Sequence, residues 1–326
     1  MYDTSYHTED LDQYSFLVTG GAGFIGSNLV EYLLKYGAKK VRVLDNFSTG
    51  SPQNIEEFKD NPAFELIEGD IRDLETCRRA VEDIDYVSHQ AALGSVPRSI
   101  DDPITSNEVN VSGFLNMLVA ARDSKSLKRM IYAASSSTYG DSPELPKVED
   151  RIGNPLSPYA VTKYVNELYA SVFSRVYGLH TIGLRYFNVF GPKQNPKGPY
   201  AAVIPLFVQA ALENKSPFIN GDGKTTRDFT FVENAIQANV KALLDSKVDQ
   251  SIVINIACGE KTSLNELWNK ISSIAGTEKE PEYRSERKGD VKHSLADIRR
   301  ASEVIGYIPS ISVTQGLKIL IDINKS

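Results

Sequence analysis

Between the apolar run Phe16-Leu17-Val18-Thr19 and an amphipathic stretch reaching about Tyr36, the chain carries Gly20-Gly21-Ala22-Gly23-Phe24-Ile25-Gly26. This reads as G-x-x-G-x-x-G from Gly20 and as G-x-G-x-x-G from Gly21. Without Cβ atoms the backbone of such a turn approaches a pyrophosphate closely, and the ligand's charge sits at the N-terminus of the helix that follows. The next apolar run, Lys40-Val41-Arg42-Val43-Leu44, ends in Asp45, where an acid meets the hydroxyls of an adenosine ribose. Strand, glycine turn, helix and strand in that order commit the first part of the chain to a parallel α/β sheet.

The rhythm continues beyond Asp45. Phe64-Glu65-Leu66-Ile67 runs into Gly69-Asp70, Tyr86-Val87-Ser88-His89 into Ala91-Ala92, and Met130 to Ala134 and Thr181 to Tyr186 repeat the pattern. Alternating strand and helix signals predict a doubly wound parallel sheet. From about Phe187 the pairs Gly191-Pro192, Asn195-Pro196 and Gly198-Pro199 and the triplet Gly221-Asp222-Gly223 break the chain into shorter pieces. The sequence therefore divides into a nucleotide-binding domain over 1–187, with 1–13 as a polar N-terminal arm, and a smaller mixed lobe over 188–326, some segments of which return to the first domain. A cleft between the two is the expected active site.

At 326 residues the chain exceeds a usual single domain. Its net charge of -6 gives no basic footprint for nucleic acid. There is no 18-residue apolar run to span a membrane, and two cysteines, Cys77 and Cys258, with no leader point to a reducing cytoplasm. The three Asn-x-Ser sequons are then coincidences. His7, His89, His180 and His293 lack ligand spacing, so no metal is expected. Trp268 with Leu264, Leu267 and Ile271 forms an apolar helical stripe that reads as core of the second lobe.

The chemistry points to Tyr159-Ala160-Val161-Thr162-Lys163. With Ser157 as N-cap and Pro158 as the first helical residue, the phenol and the ammonium lie on one face near the positive end of the helix. Upstream, Ser135-Ser136-Ser137 places three hydroxyls at the C-terminal end of a buried strand, where ligands of such sheets bind.

These markers, with His89-Gln90-Ala91-Ala92 and Arg185-Tyr186-Phe187-Asn188-Val189-Phe190-Gly191-Pro192, resemble the extended short-chain dehydrogenase/reductase family in its nucleotide-sugar epimerase and dehydratase branch, over roughly Phe16 to Tyr307. The resemblance implies a Rossmann domain with NAD across the sheet's C-terminal edge and a nucleoside-diphosphate sugar on the second lobe. For NAD it implies Gly20, Gly23, Phe24, Ile25, Gly26, Asp45, Asn46, Ser48 and Gly50. Further along it implies Asp70, Ile71, Ala91, Ala92, Asn110, Tyr159, Lys163 and Tyr186. Asp45 disfavours the 2′-phosphate of NADP, and Asn46 to Gly50 supplies no cation to offset it.

In the implied reaction Tyr159 is the base, supported by Lys163, and Ser135 hydrogen-bonds the reacting oxygen. NAD takes up and returns a hydride, so that a ketone forms and is reduced on its other face. A phenol of ordinary pKa about 10 must fall by about three pH units, worth ~4 kcal/mol. A cation at ~4 Å supplies that much at an effective dielectric of about 20, so Lys163 alone is marginal and the oxidised cofactor and helix dipole must add to it. Related 4,6-dehydratases carry an Asp-Glu pair where this chain has Ser136 and Ser137, and UDP-glucuronate decarboxylases a glutamate at the Ser137 position. Epimerisation survives both comparisons. A cofactor-sensing regulator would not need the serine, tyrosine and lysine.

For the substrate, the stretches Ala91 to Ser99 and Tyr186 to Pro192, with Ala201-Ala202-Val203-Ile204-Pro205, most resemble bacterial UDP-N-acetylglucosamine 4-epimerases of surface-polysaccharide pathways. UDP-galactose 4-epimerases usually have a lysine at the Gly94 position and a tyrosine at the Ser294 position. Here both are small, leaving room for an acetamido group, with Ser95 and Gln194 as partners. The resemblance also implies Ala202 and Val203 as substrate-binding residues. Arg227 and Arg287 match diphosphate-binding arginines, Asn188 a diphosphate-side asparagine and Asp290 a ribose contact. The expected activity is reversible 4-epimerisation of UDP-GlcNAc and UDP-GalNAc. The alternatives are a 4-epimerase of UDP-glucuronic acid, its N-acetylated acidic relatives or UDP-glucose, and a nucleotide-sugar reductase or dehydratase. The helical stretches over Val109–Ala121 and Tyr159–Val176 carry many apolar residues, and since such helices form a four-helix dimer contact in similar proteins, the resemblance implies a homodimer.

Overall fold

The computed structural model describes residues 1–196, 201–286 and 292–325. Seven parallel strands form its central sheet: β1 (Ser15–Thr19), β2 (Lys40–Asp45), β3 (Phe64–Glu68), β4 (Tyr86–His89), β5 (Arg129–Ser135), β6 (Thr181–Tyr186) and the strand Ile252–Ile256. Their spatial order is Ile252–Ile256, β6, β5, β4, β1, β2, β3. Every residue of β1 is buried, as expected of a strand covered on both faces by helices. The order reverses between β1 and β4, so the crevice of a doubly wound sheet opens at Thr19 and His89, whose side chains meet at 2.8 Å.

One face of the sheet is covered by α1 (Phe24–Lys35) and by a helix from beyond the glycine- and proline-rich region, Val232–Leu244. The other is covered by α2 (Leu74–Val81), α5 (Phe114–Asp123) and α6 (Pro158–Tyr177), which seal Leu17, Val87, Met130 and Tyr132. Between them run two short helices, α3 (Val96–Asp101) and α4 (Pro103–Asn107). The strand Ile252–Ile256 pairs with β6 although it lies far past residue 188, so the central sheet draws on both halves of the chain.

The helix expected over Val109–Ala121 is not α-helical throughout. Glu108–Gly113 winds as a π-helix before α5 begins. The wider turn lets Asn110 face inward, where its Oδ1 accepts the Leu93 N–H at 2.8 Å and its Nδ2 donates to the Leu93 carbonyl at 3.2 Å and to Thr162 Oγ1 at 3.1 Å.

The N-terminal arm packs rather than trailing. Tyr2 is fully buried and donates its hydroxyl to Asn28 of α1 at 2.7 Å, while Tyr6 stacks on Tyr32 with ring centroids 5.8 Å apart. Asn28 also donates to the Pro192 carbonyl at 3.1 Å, and Lys193 reaches Glu31 of α1 at 2.9 Å, so the loop after Phe190 is tied to the first helix.

The remaining strands form small two-stranded pairs: Val189–Phe190 with Thr230–Phe231, Thr226–Arg227 with Thr262–Ser263, and Phe218–Asn220 with Glu282–Arg284. The Trp268 stripe is core as expected. Leu267, Trp268 and Ile271 are buried, and Trp268 meets Phe207 edge-on at 5.8 Å. No helix among the described residues is long and apolar enough to cross a membrane, and no cluster of three or more His, Cys, Asp or Glu there is placed to hold a metal ion.

Candidate active site

A cleft of about 800 Å³ runs along the C-terminal edge of the sheet, across the point where the strand order reverses. One end is the glycine turn. Gly20 has φ +67°, and a Cβ there would lie 2.7 Å from the Ala91 nitrogen. A Cβ on Gly26 would lie 2.1 Å from the Gly20 carbonyl oxygen. At these two positions a side chain is therefore excluded by neighbouring backbone, that of Ala91 for Gly20 and that of the turn itself for Gly26. Gly23 caps α1 without a side chain, which leaves the N–H groups of the first turn for an anion.

Beyond the turn, Asp45 is fixed at the end of β2. Its carboxylate accepts the Phe47 N–H at 2.8 Å and the Ala22 N–H at 2.9 Å. Burial pushes its pKa up, against those N–H groups, which favour the charged form. Asn46 donates to Asp70 at 2.9 Å, and the Arg72 guanidinium beside Asp70 holds that carboxyl down to about 2. Arg72 is thus engaged by Asp70 rather than offered to a second phosphate. Gly20, Gly23, Phe24, Ile25, Gly26, Asp45, Asn46, Ser48, Gly50, Asp70 and Ile71 all line this end, and Ala91, Ala92 and Tyr186 line the middle. The glycine cradle, the uncapped helix start and the acid at the tip of β2 together fit a dinucleotide. Of the residues implied for NAD, Asn110 alone is off the wall, because both ends of its amide are spent on Leu93 and Thr162.

The reacting end is built on α6. Ser157 Oγ accepts the Ala160 N–H at 3.2 Å and Pro158 is the first helical residue, the predicted start. The Tyr159 N–H donates to Ser99 of α3 at 3.0 Å, which fixes the first turn against the cleft wall. One turn on, Lys163 is buried and donates to the Ala133 carbonyl at 2.8 Å, with its nitrogen 5.9 Å from the Tyr159 ring centroid. Burial pulls Lys163 down to about 8, and the nearby Glu167 partly opposes this. For Tyr159 burial is again the largest effect. It raises the phenol above its ordinary value, and the Ser135 hydroxyl, which hydrogen-bonds it, pulls it back. In the chain by itself the phenol therefore holds its proton at neutral pH.

Ser135 and Ser136 line the cleft beside Tyr159, whereas Ser137 turns its hydroxyl back onto Ser135 at 2.9 Å. On the substrate side, Gly94, Ser95 and Asn188 line the wall, and a Cβ on Gly94 would meet nothing within 4 Å. Gln194 donates to the Val189 carbonyl at 3.4 Å and stands off the wall, as do Ala202 and Val203 at the start of the helix Val203–Leu212, although the adjacent Ala201 lines it. Arg227 folds onto the Thr226 carbonyl at 2.9 Å and the Ser294 N–H donates to the same residue's carbonyl at 3.2 Å, and neither lines the cleft. Arg287 and Asp290 lie outside the described residues.

Sequence reasoning missed three features of the wall. Gln90 donates to Asn239 of the helix Val232–Leu244 at 2.9 Å and accepts from the Tyr186 hydroxyl at 3.3 Å, while Asn239 donates to that hydroxyl at 2.8 Å. Arg98 and Asn195 also reach the cleft. A glutamine ending an apolar strand run was the available signal for Gln90. Nothing local pointed to Asn239.

The family model for GDP-mannose 4,6 dehydratase matches residues 17–320. A putative UDP-glucose 4-epimerase of Methanocaldococcus jannaschii is 38% identical over 308 residues, covering 94% of this chain and 97% of the relative. Among solved structures, a UDP-N-acetylglucosamine 4-epimerase of Methanobrevibacter ruminantium in complex with UDP-N-acetylmuramic acid is 37% identical, with a TM-score of 0.90 over 96% of this chain and 99% of that one. A UDP-glucuronic acid 4-epimerase of Bacillus cereus, in complex with UDP-glucuronic acid and NAD, is 33% identical with a TM-score of 0.88, over 95% and 99% of the two chains. With the glycine cradle, the Ser135–Tyr159–Lys163 constellation and similarity running almost the whole length, the chain belongs to the extended short-chain dehydrogenase/reductase family, in its nucleotide-sugar epimerase branch.

Proposed function

We propose that this enzyme is a UDP-sugar 4-epimerase that interconverts UDP-GlcNAc and UDP-GalNAc. The observation that carries the reaction type is the strand end at Ser135. It presents hydroxyls at Ser136 and Ser137, with no carboxylate to expel water, beside a half-buried Tyr159 and a buried Lys163. The cofactor is NAD, which supplies a reversible acceptor for the hydride at the sugar's C4. Tyr159 removes the C4 hydroxyl proton and later returns it. Lys163 stabilises the phenolate, and Ser135 donates to the oxygen as its charge changes. The reaction is an isomerisation with no net redox change.

The open space at Gly94 supports an N-acetylated sugar, because a C2 acetamido group needs volume that a lysine there would fill. Ser95, on the wall, is its proposed partner; Gln194, Ala202, Val203 and Ser294, which stand off the wall, are assigned to the sugar from the family resemblance alone. Asn188, Arg227 and Arg287 are assigned to the diphosphate and Asp290 to the ribose. A larger pocket still admits the plain hexose, so UDP-glucose is expected to turn over slowly. One observation favours a second reading, 4-epimerisation of UDP-glucuronic acid: Arg98 lines the same wall as Gly94 and would pair with a sugar carboxylate.

A second copy of the chain is the proposed partner. Val161, Leu168, Val172 and Val176 are exposed on one flank of α6, as a helix that meets a partner helix would display them. The free Cys77 and Cys258 suit a reducing cytoplasm.

Incubating the purified protein with each UDP-sugar and following the anomeric proton by NMR tests the assignment. Interconversion of UDP-GlcNAc and UDP-GalNAc faster than that of UDP-glucose or UDP-glucuronic acid supports it. Exclusive turnover of UDP-glucuronic acid moves the assignment to the Arg98 reading, and no turnover of any UDP-sugar with added NAD would sink both.

A further inference from the structure

The catalytic helix carries a third ionisable group in line with the first two. Tyr159, Lys163 and Glu167 follow at four-residue spacing on one face of α6, and Lys163 and Glu167 are both buried. Glu167 is held from outside the helix. Arg185 of β6 donates through Nε to Oε1 at 2.9 Å and through Nη2 to Oε2 at 2.7 Å, a two-pronged pair with side chains only 4% and 7% exposed. The guanidinium is itself fixed, by Nη1 donating to the Glu149 carbonyl at 2.9 Å and by the Tyr139 ring 4.8 Å away.

Buried ion pairs of this kind are rarely needed for stability, since apolar pairs of the same shape often serve as well. The position of this one gives it another use. A carboxylate one turn from a buried ammonium attracts it, and a negative charge two turns from Tyr159 opposes formation of a phenolate. We propose that Arg185 is a positioning residue for catalysis: by neutralising Glu167 it keeps the Lys163 ammonium directed at Tyr159 and screens the phenol from the only negative charge on its face of α6.

The other groups around the site leave that role to Arg185. Tyr159 faces Lys163 from its own helix, Ser135 from β5, and Arg98 of α3 and Tyr186 of β6 across the cleft. His89 of β4 contributes no charge, because burial drives its pKa down to about 3. Glu167 faces Lys163, Arg185 and the Tyr132 phenol of β5, whose pKa burial and Glu167 both raise. Of these groups only Glu167 is an anion; the buried Glu149 carboxylate near Arg185 accepts the Asn255 N–H at 2.9 Å and lies 3.7 Å from Arg300, and Asp45 and Asp70 line the glycine-turn end of the cleft.

The inference rests on Tyr159 being the base, and the experiment keeps the two separate. Eight helical residues span about 12 Å, and at an effective dielectric of about 20 a unit charge at that distance moves a pKa by about one pH unit. Tyrosine labelled with 13C at Cζ is titrated in the NAD-loaded protein, with the Tyr159 resonance assigned by its loss in Tyr159→Phe. The acidic limb of kcat/KM is followed in parallel. Arg185→Met is expected to raise the Tyr159 midpoint by about one pH unit, Glu167→Gln to lower it by a similar amount, and the double variant to restore it to within about 0.3 of the parent. Opposite shifts that cancel are not produced by loosened packing. If Arg185→Met does not fold, Glu167→Gln and the double variant still decide. A midpoint unmoved in folded Glu167→Gln, or still displaced in the double variant, overturns the inference. Substantial turnover by Tyr159→Phe overturns the underlying assignment of the base instead.

Discussion

Ser137 donates to Ser135 twice, from its backbone N–H at 3.2 Å and from its hydroxyl at 2.9 Å. Both lone pairs of the Ser135 oxygen are thereby occupied, so its own hydrogen points the other way, toward Tyr159 and the reacting oxygen. Ser135→Ala is expected to lower kcat by about 100-fold with little change in KM, the usual cost of losing one donor at a developing charge. Ser137→Ala removes only the orientation and is expected to lower kcat by less than about tenfold. Steady-state kinetics on the two variants distinguish donor from support, and equal losses would contradict the division of roles.

Lys163 is kept in the fold at a cost. Its pKa in the folded chain is near 8, against about 10.5 in an unfolded one. The unfolded state therefore binds more protons between those values. The penalty is full below about pH 8 and is relieved as pH rises toward about 10.5. After allowing for the lost bond to the Ala133 carbonyl, Lys163→Met is expected to be about 2 kcal/mol more stable than the parent at pH 7 while losing turnover. Urea unfolding of both proteins at pH 7 and pH 9.5 measures this, and a gain that fails to shrink at the higher pH would refute it.

Gly26 has no room for a side chain. The Cβ of Gly26→Ala would press on the Gly20 carbonyl oxygen at 2.1 Å, displacing the turn that lies under the cofactor. Overpacking of this kind is expected to cost about 2 kcal/mol of stability and to weaken NAD binding at least about tenfold. Calorimetric titration with NAD reads the second effect. Gly94→Ala, where the new carbon meets nothing within 4 Å, is the matched control and should bind NAD as the parent does.

Filling the Gly94 space tests the sugar assignment. Gly94→Lys is expected to lower kcat/KM for UDP-GlcNAc at least about tenfold relative to UDP-glucose, read as competing anomeric signals in one NMR tube. An unchanged ratio would place the acetamido group elsewhere.

The parts of the site that share a short stretch of chain were legible in the sequence. Gly20 to Gly26, Asp45 and the Ser157–Lys163 helix start each consist of neighbours whose spacing reports their geometry. Asn110 was legible as a residue but not as a role, because its inward turn depends on a π-helix that apolar periodicity does not reveal. Asn239 was invisible for a different reason. It meets Gln90 across 149 positions, through a helix from the half of the chain read as the second lobe. Arg227 and Ser294 lie side by side on Thr226 yet off the cleft wall, a placement set by pairing between distant short segments. Contacts of that kind depend on how the chain returns to the sheet, and no local pattern encodes them.

The π-helix at Glu108–Gly113 also bears on how this chain can vary. It sits between α4 and α5 in one continuous run, and its wider turn accommodates one residue more than an α-helix would. Deleting any one residue there would let the run relax to ordinary winding and rotate everything on one side of it by about 100°. Phe114, Met117 and Leu118 would then leave the sheet, or Asn110 would release Leu93 and Thr162. Point changes along this helix alter single contacts, whereas a one-codon loss would shift the phase of the entire wall, so length is held more tightly here than composition.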